Sequence, residues 1–303
     1  MPLPLSNRPL IGSGYHGPRC QAASGCARPH AGGRLSVQTR NNVRVMGDGP
    51  ATLVFAHGFG CDQNMWRLVT PGFASRFRLV LFDLVGSGRS DIAAYDSAKY
   101  DSLEGYAADL VEVIEEFGRG PVIVVSHSVS AMISVTAALK APDRIAAHIM
   151  IGPSPCYIDD GDYLGGFTKH DIDSLLETLA SNYLGWSSTM APAIMGAPGQ
   201  PELADELTNS FCRTDPDIAR EFARVTFLSD SRADVARITH PCLILQCSDD
   251  IIAPLQVGLY LHRVLPDSRF ELIDNVGHCP HLSAPDACIG AMDTFLAELV
   301  SRE

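Results

Sequence analysis

Apolar residues follow two alternating rhythms along the chain. Short unbroken apolar runs at 51–56, 77–82, 122–126, 147–151 and 241–247 have the length and texture of strands covered on both faces. Between them lie stretches with helical spacing. In LEGYAADLVEVIEEF (103–117), Leu103, Tyr106, Leu110, Val113, Ile114 and Phe117 fall on one face. Residues 42–46 alternate like an edge strand and run into the turn cluster Gly47-Asp48-Gly49-Pro50. Further helices are expected from the end of the 122–126 run to about 139, from about 255 to 265 and around 287–300, with a strand at 269–273. Strands alternating with helices in this way predict an α/β fold with a mostly parallel sheet flanked by helices.

The alternation breaks at Gly152-Pro153-Ser154-Pro155. From about 156 to 230 there is no strand-like run, but there are helical ones such as DIDSLLETLASNYLGW and PELADELTNSFCR. An inserted helical cap over 154–230, laid across one end of a core made of 41–153 and 231–303, is the simplest arrangement. Residues 1–40 form a different block, dense in Pro and Gly, containing Arg8, Arg19, Arg28, Arg34 and Arg40, and without an acidic residue. They are expected to be a disordered N-terminal extension with neither apolar periodicity nor the apolar core of a secretory signal.

Composition narrows the function classes. The chain has 303 residues, 46% of them hydrophobic, which is enough for a sizeable core. A net charge of −12 argues against a nucleic-acid partner, and no apolar run is long enough to span a membrane. The nine cysteines are odd in number and scattered, without paired C-x-x-C spacing, so neither a disulfide framework nor a zinc site is expected. Free thiols in a reducing, cytoplasmic compartment are the plainer reading.

Candidate chemistry centres on VIVVSHSVSAM (122–132), where an apolar strand runs through Ser126-His127-Ser128-Val129-Ser130 into a helix. It has the layout of G-x-S-x-G with serine at both glycine places. A serine nucleophile needs a base and preorganised donors for its oxyanion, and parallel sheets collect such groups at the carboxyl ends of strands. Asp249 and Asp250 follow CLILQCS, and Pro254 four residues on favours Asp250. His278 follows RFELI through DNVG; His281 is the lesser candidate. His57-Gly58-Phe59-Gly60 follows LVFA, so the Phe59 and Val129 amides could bind an oxyanion together. His127 and Asp83 read as structural.

The stretches RNNVRVMGDGPATLVFAHGFGCDQNMW, FDLVGSGRSD, SHSVSAM, SNYLGW, FCRTDPDIA, LQCSDDIIAP and GHCPHLSAP resemble the RsbQ-type α/β-hydrolases, a group similar to the plant strigolactone and karrikin receptors. The resemblance covers 40–300 and implies an α/β-hydrolase fold. It also implies Ser128 as nucleophile, Asp250 as acid, His278 as base, the Phe59 and Val129 amides as oxyanion hole, and a V-shaped cap of four helices over an apolar pocket. Tyr157, Phe167, Tyr183, Trp186, Met190 and Phe211 are the expected lining residues.

The expected activity is therefore a serine esterase or lactonase for small hydrophobic substrates, acting through an acyl-enzyme and needing no metal or organic cofactor. The alternative is a signalling regulator that keeps the triad, binds a small ligand and recognises a protein partner.

Overall fold

The computed structural model describes residues 36–301; expectations for 1–35 lie outside these residues. Among the described residues one sheet of seven strands forms: β1 (Arg44–Met46), β2 (Thr52–Ala56), β3 (Arg78–Leu81), β4 (Val122–His127), β5 (Ile145–Ile151), β6 (Cys242–Asp249) and β7 (Ser268–Val276). Their order across the sheet is β1-β3-β2-β4-β5-β6-β7. Only β1 pairs antiparallel, with β3; every other pair is parallel. The α/β architecture with a mostly parallel, helix-flanked sheet is thus what the alternation of strand and helix patterns encodes, and it is the α/β-hydrolase fold that the family resemblance implies.

Period-two geometry divides the core into two layers. Leu53, Phe55, Leu79, Leu81, Ile123 and Val125 point into one cluster, while Val54, Ala56, Val80, Val122 and Val124 point into the other. The second layer is covered by α2 (Leu103–Phe117) and α3 (Val129–Lys140). Nearly every residue of α3 is buried, so it lacks the amphipathic pattern that made α2 legible.

The described chain begins at Ser36, before residue 41. Ser36 caps a short helix, α1 (Val37–Arg40), and Arg40 is buried against Asp109 (3.2 Å) and Glu112 (2.5 Å). Placing Arg40 in a disordered extension is therefore corrected: it balances the carboxylate of Asp109, which is buried in α2 and needs cationic partners. Asp83 is structural, as its sequence context indicated. Its carboxylate accepts hydrogen bonds from the Gln63 and Arg89 amides and from the Asn42 side chain.

Between β5 and β6 the chain forms α4 (Lys169–Ser181), α5 (Tyr183–Met195), α6 (Pro201–Arg213) and α7 (Pro216–Phe227). Each starts on a local signal: Thr168 and Asp171 form a reciprocal capping box, Asn182 and Asp215 accept from first-turn amides, and Pro201 and Pro216 occupy first-turn positions. The core closes with α8 (Arg232–Val235), α9 (Leu255–Val264), α10 (Pro280–Ser283) and α11 (Pro285–Val300).

Candidate active site

Ser128 stands between the end of β4 and the start of α3 with φ +57° and ψ −127°. Among the described residues only Asn42 is another non-glycine at positive φ. Such a conformation costs on the order of 1–3 kcal/mol and persists only where neighbours over-determine it. Here the Ser128 amide donates to the Ile151 carbonyl and its own carbonyl accepts from the Ala131 amide, both at 2.9 Å.

The two serines in the glycine places also have defined partners. Ser126 Oγ donates across the sheet to the Ile149 carbonyl (3.3 Å), and Ser130 Oγ donates to the His57 carbonyl (2.5 Å). Ser130 thereby ties the start of α3 to the HGFG loop. His57 holds the same loop from within: the Leu84 amide donates to Nε2, so Nδ1 carries the proton and donates to the Gly58 carbonyl. A side chain at Gly58 would put Cβ 2.5 Å from His127 Nδ1 and 3.2 Å from Ser128 Cβ, so only glycine lets this loop pass so close to the nucleophile. Phe59, the next residue, lines the same cavity as Ser128, and Val129 is the first residue of α3. The Val129 amide belongs to the helix terminus, where N–H groups lack intrahelical acceptors.

Asp250 and His278 are buried together, with His278 Nδ1 donating to Asp250 Oδ2 at 2.7 Å. The other oxygen, Oδ1, accepts from the amides of Ile252 (2.8 Å) and Ala253 (3.1 Å). Asp249, the competing carboxylate, is the last residue of β6 and is exposed. With Nδ1 committed to Asp250, His278 presents Nε2 as an unshared pair; that nitrogen is buried and has no protein partner. Gly277, at φ +106°, makes the turn that delivers it, and a Cβ there would lie 1.9 Å from the Met195 carbonyl. The His278 amide donates to the Ile194 carbonyl of α5 (2.8 Å), so the base loop is fastened to the cap.

His281 makes no such bond to Asp250. It is fully buried with its ring 4.8 Å from Trp66, and burial holds it neutral, down to about 3. His127, structural in the sequence reading, also faces the site. It borders the same cavity as Ser128, and Nε2 donates to the His278 carbonyl at 2.9 Å. Burial, followed by the neighbouring His281 and His278, keeps it well below the ordinary imidazole range.

The cavity above Ser128 is narrow, with a volume of about 30 Å3. Tyr157, Trp186 and Phe211 line it; Phe167, Tyr183 and Met190 do not. Tyr183 sits one ring behind, stacked on Trp186, its hydroxyl donating to the Phe211 carbonyl (2.8 Å). Phe167 is held by its backbone, in a bridge to Ile158, and Met190 packs half-buried against the core. Sequence reading missed Cys61, Ile252, Phe227 and Cys279 as lining residues, along with the Phe59 ring, which packs edge-on to Trp186 and Phe211. Cys61, Ile252 and Cys279 lie one or two residues from a candidate site residue or its loop, which was the available signal. Phe227, at the end of α7, had none.

The Tyr157 hydroxyl is buried without a hydrogen-bond partner; burial pushes it up to about 12, and the adjacent Ser128 acts in the opposite sense.

Residues 53–291 match the model of the alpha/beta hydrolase family. The chain is 38% identical over 254 residues to the karrikin insensitive 2 receptor CA of Petunia hybrida, covering 84% of this chain and 94% of the relative. It is 34% identical over 259 residues to the strigolactone esterase RMS3 of Pisum sativum, covering 85% and 97%. A solved hydrolase from Oleispira antarctica superposes with a TM-score of 0.83 at 41% identity, covering 86% of this chain and 96% of that one. The similarity to plant receptors read from the motifs therefore extends along nearly the whole described chain, and the protein belongs to the alpha/beta hydrolase family.

Proposed function

We propose that the protein is a serine hydrolase of small apolar esters or lactones. The observation that carries this reading is the buried His278–Asp250 pair, its Nε2 unpartnered, on the same narrow apolar cavity as the strained Ser128. Ser128 Oγ attacks the carbonyl carbon as its proton passes to His278 Nε2, and the Phe59 and Val129 amides receive the oxyanion. His278 then protonates the leaving alkoxide, and the acyl group remains on Ser128. A water molecule, deprotonated by the same nitrogen, releases the acid; Asp250 holds the imidazolium throughout. A carboxylate nucleophile, as an epoxide hydrolase or dehalogenase would need, is not what stands at position 128.

Ser128→Ala is expected to lower turnover of p-nitrophenyl acetate at least ~10^3-fold, in line with nucleophile removal elsewhere. Unchanged turnover would overturn the proposal. The narrow cavity favours acetyl and butyryl esters over octanoyl ones.

A second reading is carried by the bond from the His278 amide to α5. A ligand too large for the closed cavity displaces the cap, and that displacement pulls on the base loop, so ligand occupancy and cap position are coupled. Such coupling fits a receptor that presents its cap to a regulatory protein partner, with slow hydrolysis. The test is a pull-down from the native host: a stoichiometric partner retained only with a cavity ligand favours this reading. The seven free cysteines among the described residues fit a reducing, cytoplasmic setting, and no described helix is long and apolar enough to cross a membrane.

A further inference from the structure

One cluster of side chains next to the triad has no part in the proposed reaction. His127, Cys279 and His281 each offer one ligand atom, and these three atoms lie within 4.8 Å of one another. All three residues are at most 2% exposed. Both nitrogens of His281 and Nδ1 of His127 lack hydrogen-bond partners. A buried polar atom left unpaired costs roughly 1–3 kcal/mol, and a neutral imidazole carries one unshared pair, so the two histidines place two unpaired lone pairs beside the Cys279 thiol.

His127 is already arranged as ligating imidazoles are. Its Nε2 can only donate to the His278 carbonyl, so Nδ1 holds an unshared pair, and ligation through Nδ1 leaves that bond in place.

We propose that His127, Cys279 and His281 form a site for a single Cu(I) ion in the wall of the cavity. One thiolate and two imidazoles make a soft donor set, suited to Cu(I) and Zn(II). When Cys279 releases its proton to solvent on binding, Cu(I) and the thiolate sum to zero. Donor number separates the two metals: three donors complete a trigonal Cu(I) centre, while structural Zn(II) takes four. The path in is the cavity itself, which His127 and Cys279 both line. Donors 2.0–2.3 Å from a common centre stand about 3.5–4 Å apart, so the cluster closes by up to about 1 Å around the ion.

The test is an anaerobic titration of the reduced, full-length protein with Cu(I) against the chromogenic chelator bicinchoninate. The wild type is expected to withhold one equivalent that Cys279→Ala and His281→Gln each lose. Cys61→Ala, which removes another thiol of the same cavity, is expected to keep it. Copper-edge X-ray absorption should fit one sulfur and two nitrogens. Equal retention by Cys279→Ala, loss in Cys61→Ala as well, or an all-sulfur shell overturns the site; displacement of that equivalent by equimolar Zn(II) overturns the choice of Cu(I). Circular dichroism checks each variant's fold, and Cys279→Ala decides if His281→Gln unfolds.

Discussion

Asp249 and Asp250 show how much one position of register matters at the end of a strand. The two carboxylates are adjacent in sequence, but Asp249 still belongs to β6 and faces solvent, while Asp250 turns inward to two backbone amides and His278. If Asp250 sets the imidazole tautomer and steadies the imidazolium, Asp250→Asn should lower kcat by about 10^4-fold, the loss seen when a triad carboxylate becomes an amide. Asp249→Asn should stay within about twofold. A reversed pair of rates on p-nitrophenyl acetate would move the acid to Asp249. The candidate triad was legible because each member follows its own apolar run, and the D-x-x-x-P spacing favoured the carboxylate that bonds to His278. The role of Ser126 and Ser130 was not legible. Their hydroxyls look out of place in a glycine motif until the carbonyls of Ile149 and His57 are found opposite them.

At the level of elements, strands and amphipathic helices were readable because burial on two faces, or on one stripe, leaves its own period in the sequence. The cap was readable as helices but not as a cavity. A buried aromatic on a cap helix satisfies the same pattern whether it faces the ligand space or the helix behind. Tyr183 and Trp186 share α5, lie three residues apart and stack at 6.4 Å, yet only Trp186 borders the cavity. Their difference predicts different phenotypes. Phe227→Ala enlarges the cavity and should shift the preferred acyl chain from acetyl or butyryl toward hexanoyl or octanoyl, at a stability cost of about 3–5 kcal/mol. Tyr183→Phe removes the bond to the Phe211 carbonyl and should cost about 1 kcal/mol with the chain-length profile unchanged. A panel of p-nitrophenyl esters, read beside urea unfolding curves, separates the two; a shifted profile in Tyr183→Phe would place that ring on the ligand.

For the whole molecule, burying histidines inside the sheet makes stability depend on pH. Central parallel strands are covered on both faces, so a polar residue there is sealed whatever its chemistry, and the sequence pattern does not reveal what that sealing does to its charge. His148, in the middle of β5, is fully buried, with Nδ1 beside Ser134 Oγ (3.1 Å) and Nε2 unpartnered. Burial, with a smaller contribution from His240, lowers it from its ordinary 6.5 to about 3. Between those values the unfolded chain binds a proton that the native state refuses, so the contribution is complete above about 6.5 and declines as pH falls toward 3. The slope is about 1.4 kcal/mol per pH unit for one such group. His148→Leu removes this titration and keeps an apolar side chain of similar size, while Ser134 retains its bond to the Ala131 carbonyl. Wild type should therefore lose more unfolding free energy than His148→Leu between pH 7 and pH 5.5, where few carboxylates titrate, by on the order of 1 kcal/mol. Urea unfolding at both pH values measures it; parallel losses in the two proteins would mean that His148 accepts its proton while folded, through water reaching the strand or a local opening of β5.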